Sequence, residues 1–188
     1  NPRSFRYVGV GAFQLLRRSA YEASGTHRRL AMEVVDDMKL GKIVKQAGFR
    51  SGCAVAQNLV AVRWHAGVGN LVRGVTKNFF AGAGYDLRLV ALEVAALLAM
   101  DILPFAGAFF GHGWIFGTSA VAIAIALGFH AGVASVMRVS PLYALTHPLG
   151  ALLFCYMLVR STVVTLWQGG IVWRDTFYPL DDLKRGVV

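Results

Sequence analysis

Cysteine, acidic residues and, in the second half, charge of either sign are scarce in this chain of 188 residues. The 2 cysteines, Cys53 in a polar segment and Cys155 in an apolar one, support neither a disulfide framework nor a metal cluster. Between Arg88 and Arg174 the charged residues are only Glu93, Asp101, Arg138 and Arg160. So little charge over so long a segment excludes an ordinary soluble domain for this part of the chain.

Apolar residues fill the segment that lacks charge. Hydrophobic types make up 56% of the chain and its mean hydropathy is +0.53, both high for a soluble protein. Three apolar segments each approach the ~20 residues needed to cross the hydrocarbon core, at about 88–111, 114–137 and 142–167. Amphipathic aromatic residues, which favour the headgroup level, lie near the ends of these segments: Trp114, Tyr143 and Trp167. Residues 87–168 are therefore predicted to form an α-helical membrane domain of about three helices.

The first apolar segment is the least regular of the three. Pro104 is expected to kink or break it, and Glu93 and Asp101 place two carboxylates within it. Gly107 and Gly111 are small enough to allow a close approach to a neighbouring helix.

Basic residues outnumber acidic ones, 19 to 10, which gives a net charge of +9. Because they flank the apolar segments, they indicate a cytoplasmic face in contact with anionic lipid, and we expect no nucleic-acid partner. Residues 169–188 form a polar tail that is also basic. Three complete spans would place this tail opposite the part that precedes them. Either one span is re-entrant or interfacial, or the positive-inside rule fails here, and the sequence leaves both open.

The residues before the membrane segments have the pattern of a small mixed α/β domain. Its predicted elements are an extended stretch at 5–13, a helix at 18–24 ended by Gly25, an amphipathic helix at 33–47 ended by Gly48, and a strand at 52–62. The spacing places the charged residues of helix 33–47, Lys39 among them, largely on its polar face. Residues 67–86 are predicted to form a further helix with an apolar face and a basic polar face. Such a helix fits the membrane interface or the core of the soluble part equally well.

Reactive side chains are concentrated at two places. Asp36 and Asp37 lie in the first turn of the predicted helix 33–47, where acidic residues offset the helix dipole or where one serves as a general base. Arg63 offers a planar fork suited to phosphate, and Trp64 a flat face suited to a sugar ring. His65 is a candidate base or a plain hydrogen-bonding residue. The alternative for this second group is an anchor at the membrane interface.

Together these segments resemble membrane-bound family 2 glycosyltransferases. The resemblance is carried, in order and with matching spacing, by Gly11–Gly25, Val34–Leu40, Ala47–Arg50 and Val62–Trp64. It covers about residues 8–80 well, and the membrane region and residues 170–178 more loosely. The chain is most similar to the lipid-directed branch, such as ceramide, hopanoid and carotenoid-acid glycosyltransferases.

The resemblance implies a role for each matched residue. Asp37 would be the catalytic base, with Asp36 beside it in the same motif, and Arg63 would contact the nucleotide diphosphate. His65 lies outside the matched motifs and is a supporting candidate through its own chemistry. Acceptor-side residues would be Trp64, Gly11, Arg17 and Arg18. Val60 stands where the family's Gln-x-x-Arg-Trp pattern has glutamine, a departure that weakens the match to processive synthases.

The implied fold is the C-terminal half of a GT-A type nucleotide-sugar transferase domain, an α+β fragment over residues 1–86. The family's Asp-x-Asp metal pattern occurs nowhere in the sequence. We therefore expect a C-terminal fragment that is inactive alone, with the ligands of a divalent cation, Mg²⁺ or Mn²⁺, mostly in a missing N-terminal half. The chain also starts at Asn1 without methionine, which favours the same interpretation.

The implied activity is inverting transfer of a hexose from a nucleotide sugar to a lipid acceptor at the membrane. We expect a multi-pass protein of a bacterial cytoplasmic membrane, with the catalytic part facing the cytoplasm. One alternative is a transporter or channel subunit in which Glu93 and Asp101 are the functional charges. The other is a non-catalytic membrane anchor that keeps the shape of the enzyme.

Overall fold

The computed structural model describes residues 7–54, 59, 62–173 and 175–188. The chain is mostly helical and forms two compact units. Unit 1 contains the residues up to Tyr85 together with Ser161–Val188, and unit 2 contains Asp86–Arg160. Unit 1 is therefore built from two separate stretches of sequence, and the chain leaves it and returns to it.

Unit 1 begins with residues 7–17, which have no regular secondary structure. They are followed by helix α1 (Arg18–Ala23), a 3-10 turn (His27–Leu30) and helix α2 (Asp36–Gln46). Gly25 and Gly48, at φ +89° and +86°, follow these two helices, as the sequence predicts. Helix α2 begins three residues later than predicted because Val35, at φ −105° and ψ 48°, is not helical.

The predicted helix 67–86 is wrong as a single element. The structure contains α3 (Val68–Val75) and a short α4 (Phe79–Gly82), separated by Thr76–Asn78. The Thr76 hydroxyl donates to the Val72 carbonyl at 2.7 Å, a local bond that competes with helix continuation. Of the predicted strand 52–62, Gly52–Ala54 are not in a strand, and most of the remainder, including Val60, lies outside the described residues.

The core of unit 1 lies on the apolar face of α2. Leu40, Ile43 and Val44 are buried there with Leu30, and Leu16, Tyr21 and Phe49 pack around them. The helical spacing of apolar residues in the sequence predicts this face, and burial of each large aliphatic side chain contributes about 1.5–3 kcal/mol.

The tail is more ordered than the sequence predicts. Strands β1 (Gly170–Trp173) and β2 (Thr176–Pro179) form an antiparallel hairpin with Ile171 opposite Tyr178, and helix α9 (Leu180–Arg185) follows. Ile171 and Leu183 are buried in unit 1. Within the described parts of the chain these are the only strands, so the sheet expected for a GT-A half over residues 1–86 is not seen there.

Three long helical stretches in the described chain are apolar enough to cross a membrane, as predicted. They are Leu87–Phe110, Trp114–Val136 (helix α7) and Pro141–Gln168. The first consists of α5 (Leu87–Leu97), a π-helical turn (Leu98–Ile102) and α6 (Leu103–Phe110); the third consists of a 3-10 helix (Pro141–Thr146) and α8 (His147–Gln168). Large apolar side chains such as Phe109 and Phe110, each 82% exposed, face outward as lipid-facing residues do.

Pro104 does not break the first stretch. Its ring would clash with the carbonyl four residues earlier, and the chain widens into the π-helical turn Leu98–Ile102 just before it. The first stretch then packs closely on α7, since a Cβ on Gly107 would lie 2.2 Å from the Ser119 hydroxyl. This confirms the close helix contact predicted from the small residues.

Candidate functional site

The first turn of α2 presents Asp36 and Asp37. Asp36 Oδ1 accepts from the backbone N–H of Asp37 at 2.9 Å, and Asp37 Oδ1 accepts from that of Met38 at 2.8 Å. The preceding residue, Val35, offers no side-chain acceptor for these donors. One oxygen of each carboxylate thus accepts from a free N–H at the helix N-terminus. This arrangement fits the first of the two roles considered for these residues, which is to offset the helix dipole.

Residues 7–15 lie directly against this turn. A Cβ on Gly11 would lie 2.6 Å from Asp37 Oδ2, and one on Gly9 would lie 2.1 Å from the Asp37 carbonyl oxygen. From the other side, a Cβ on Gly41 of α2 would lie 1.9 Å from the Val8 carbonyl oxygen. A side chain at Gly9 or Gly41 would collide with backbone, so the two backbones are in direct contact, and a side chain at Gly11 would displace the Asp37 carboxylate. The structure thus brings Gly11 and Asp37 together.

Gln14 also joins residues 7–15 to the first turn of α2, by a hydrogen bond. Its Nε2 donates to the Asp37 carbonyl oxygen at 2.9 Å. Gln14 is not among the predicted site residues, although a lone amide within the apolar run Phe13-Gln14-Leu15-Leu16 is a signal that it needs a partner. Gln14 therefore fixes the position of Asp37 through the backbone.

A buried ion pair supports α2 on another side. Lys39 Nζ lies 3.5 Å from Glu33 Oε1, with side chains 9% and 3% exposed. Sequence periodicity placed Lys39 on the polar face, but the tail covers it, because Lys39 also donates to the Val188 carbonyl.

Burial, assisted by the Glu33 carboxylate, raises the pKa of Tyr85 above its usual range, so this phenol stays neutral.

Arg17 and Arg18 lie on the surface at the start of α1. Arg18 Nε pairs with Glu22 Oε1 at 2.8 Å in an exposed i,i+4 contact, a weak interaction in water. Neither arginine contacts Asp37 within the described residues. Their predicted place on the acceptor side stays a prediction.

Arg63, Trp64 and His65 lie in a segment without regular secondary structure. Trp64 is 69% exposed and Arg63 is exposed too, whereas the His65 ring packs on α3, where a Cβ on Gly74 would lie 2.2 Å from its Cε1. The Trp64 and His65 rings are 5.4 Å apart. In the part of the chain that the structure describes, this group makes no contact with Asp37.

Helix α8 and the tail both contact the segment around α4. The Ser161 hydroxyl accepts from the Phe80 N–H at 2.9 Å and donates to the Thr76 carbonyl at 2.6 Å, and it is fully buried. Lys77 Nζ lies 4.9 Å from the centre of the Trp173 ring, a cation–π contact. Ser161 near the end of α8 and Trp173 in the tail thus contact the segment Thr76–Phe80 within unit 1.

The described residues contain no group of three histidine, cysteine, aspartate or glutamate side chains placed to hold a metal ion. The divalent cation implied by the resemblance stays a prediction. Comparison with known proteins finds no match: no family model, no curated protein and no solved structure is similar to this chain.

Proposed function

We propose that this chain is the C-terminal part of an inverting glycosyltransferase that transfers a hexose from a nucleotide sugar to a membrane lipid, with Asp37 as general base. The observation that carries the proposal is the contact between Gly11 and Asp37 Oδ2. These residues belong to two separate stretches with the family resemblance, 26 positions apart in sequence. Their meeting at one helix N-terminus is what a shared catalytic site requires.

The chemistry assigned to Asp37 needs one free carboxylate oxygen. Oδ1 is held by the Met38 N–H, which fixes the orientation of the group, and Oδ2 faces the glycine segment. In the proposed step the lipid hydroxyl oxygen attacks the anomeric carbon and its proton passes to Oδ2. The bond from that carbon to the phosphate oxygen breaks, and the nucleoside diphosphate leaves with the electron pair. Glycine at position 11 leaves room for the acceptor beside this oxygen.

Arg63 and Trp64 serve the two substrates in this proposal. The exposed guanidinium of Arg63 can bind diphosphate in a bidentate manner and stabilise the charge that develops as the nucleotide leaves. The exposed Trp64 ring offers a face for the acceptor. Because the described structure shows no direct contact from either residue to Asp37, the substrates themselves would bridge them. The roles proposed for these residues do not involve a metal ion.

The apolar stretches fit a lipid acceptor. A lipid keeps its chains in the bilayer while its hydroxyl reaches an interfacial site, so a catalytic part attached to membrane helices avoids extracting it into water. We place the protein in a cytoplasmic membrane as a multi-pass protein, with its catalytic part facing the cytoplasm. The excess of basic residues outside the apolar stretches supports this side.

The test replaces Asp37 by asparagine in the complete enzyme that contains this chain. Asparagine keeps the acceptor oxygen for the Met38 N–H but cannot take a proton, so we expect glycolipid formation to fall by about 10²–10⁴-fold. Mass spectrometry of membrane lipids measures the product and gives the sugar mass. Asp181→Asn, an exposed carboxylate in α9, is the matched control and should leave the product unchanged. Near-normal transfer by a folded Asp37→Asn enzyme would refute the assignment.

A further inference from the structure

A group of polar side chains lies within unit 2, where the three apolar stretches provide almost no other charge. Asp101 Oδ1 and His147 Nε2 are 3.0 Å apart, with side chains 25% and 10% exposed. The His130 ring lies against the His147 ring, with 4.1 Å between centroids and a tilt of 37° between planes. We refer to Asp101, His130 and His147 as the polar lock. One member comes from each apolar stretch.

Hydrogen bonds show which nitrogen of each ring carries a proton. His130 Nδ1 lies 2.8 Å from the Ala126 carbonyl, which can only accept, so this nitrogen carries a proton. His147 Nε2 likewise donates to the Asp101 carboxylate. Among the described residues no three histidine, cysteine, aspartate or glutamate side chains are placed to hold a metal ion, and these three are no exception. The geometry of the lock is that of a contact between helices.

The position of Asp101 shows how deep the lock lies. Asp101 follows Leu87, the start of the first stretch, by 14 residues, about 21 Å of helix, and precedes its end at Phe110 by 9, about 13 Å. A hydrocarbon core is about 30 Å thick. The bond to Asp101 therefore holds His147, the first residue of α8, well inside the bilayer rather than at the headgroups.

From His147 the third stretch runs back over the same length of helix that separates Leu87 from Asp101. From His147 to Ser161, where the chain re-enters unit 1, α8 again runs 14 residues, about 21 Å. Ser161 bonds to Thr76 and Phe80, which come shortly before the first stretch begins at Leu87. The chain therefore returns at Ser161 to the side of the membrane from which it entered. The number of complete crossings must then be even. The first two stretches pack as a hairpin, which leaves the third as the one that does not cross.

We propose that the third apolar stretch is re-entrant: it dips into the bilayer through the 3-10 helix Pro141–Thr146, turns at His147 and returns along α8, with the polar lock holding its deep end. Pro141 and Pro148 flank the turn, and a 3-10 helix is a common connector of this kind. An intramembrane carboxylate is costly unless paired, and here its partner is the residue at the turn. This resolves the conflict between three apolar stretches and a basic tail.

Topology is tested by labelling single cysteines with a membrane-impermeant maleimide in sealed vesicles of either orientation, in the full chain with Cys53→Ser and Cys155→Ala. We expect Ala23→Cys and Asp181→Cys to label from one side and His112→Cys from the other. Three complete crossings would instead put Asp181→Cys on the side of His112→Cys. Labelling of all three from one side would show that the first two stretches do not cross. Either result overturns the re-entrant assignment.

The lock itself is tested with Thr146→Cys, next to the turn, which we expect to be protected from both sides. Adding Asp101→Ala should raise its labelling rate about fivefold, since a hydrogen bond between membrane helices changes an equilibrium by roughly that factor. Glu93→Ala, which removes another carboxylate of the same stretch, should not. His147→Gln keeps an N–H donor and should preserve protection. An unchanged rate in Asp101→Ala would show that the lock does not hold the turn.

Discussion

Replacing Gly41 by alanine tests the packing of residues 7–15 against α2. Within a helix this change normally stabilises by about 1 kcal/mol, because glycine has poor helix propensity. Here the new methyl group would lie 1.9 Å from the Val8 carbonyl oxygen, whereas ordinary contacts begin near 3.4 Å, so backbone must move by about 1.5 Å. Overpacking of this kind costs about 1–3 kcal/mol, and displacing the segment also removes the Gln14 bond to Asp37, about 1 kcal/mol more.

The net result is a destabilisation of about 1–3 kcal/mol, opposite in sign to an ordinary helix substitution. For a chain of this size it should lower the unfolding temperature by about 2–10 °C, measured by intrinsic fluorescence of the protein in detergent. Gly69→Ala in α3 is the matched control, since a Cβ there meets nothing within 4 Å. If Gly41→Ala unfolded at or above the temperature of the parent while Gly69→Ala behaved normally, the contact between the glycine segment and α2 would be refuted.

Three further changes test unit 1 by the same measurement. The pKa of Tyr85 is raised in the folded state, so above about pH 10 the unfolded state binds fewer protons than the folded state and the free energy of unfolding falls with rising pH. Tyr85→Phe should flatten this decline between pH 8 and 11. Equal slopes for the parent and the variant would contradict the prediction. Ser161→Ala leaves the Phe80 N–H without its partner and should cost about 1–3 kcal/mol. Lys39→Met leaves the buried Glu33 carboxylate with the Val188 N–H but without its charged partner, and should cost about 3–5 kcal/mol, more than Lys39→Met with Glu33→Gln.

Helices were predictable because their signals are local. Gly48 ends α2 where the spacing of Leu40, Ile43 and Val44 stops, and three apolar stretches are visible from composition alone. The tail hairpin had a signal that went unused: β-branched and aromatic residues flank a two-residue connection that includes Asp175, which adopts a positive φ of 65°. Periodicity also placed Lys39 on a solvated face, since no local pattern shows that a segment 149 residues later covers it.

The site was predictable only as separate pieces. Asp37 and Gly11 stand out in the sequence through the family resemblance, but their contact depends on close backbone packing that Gly9 and Gly41 permit, which spacing does not reveal. The role of Gln14 and the pairing of Asp101 with His147 likewise join residues 23 and 46 positions apart. Side-chain contacts of this range follow from tertiary packing.

The hydrogen bonds from Ser161 to the segment around α4 set an order for biosynthesis. Thr76 and Ser161 are 85 residues apart, and between them lie the stretches that must enter the membrane. At about 5–20 residues per second, the ribosome needs roughly 4–17 s to make that interval. Until then the Phe80 N–H and the Thr76 carbonyl have no Ser161 to bind. The first part of unit 1 therefore cannot complete its fold until the apolar stretches have been made and inserted into the membrane. During that time it is accessible to proteases and chaperones.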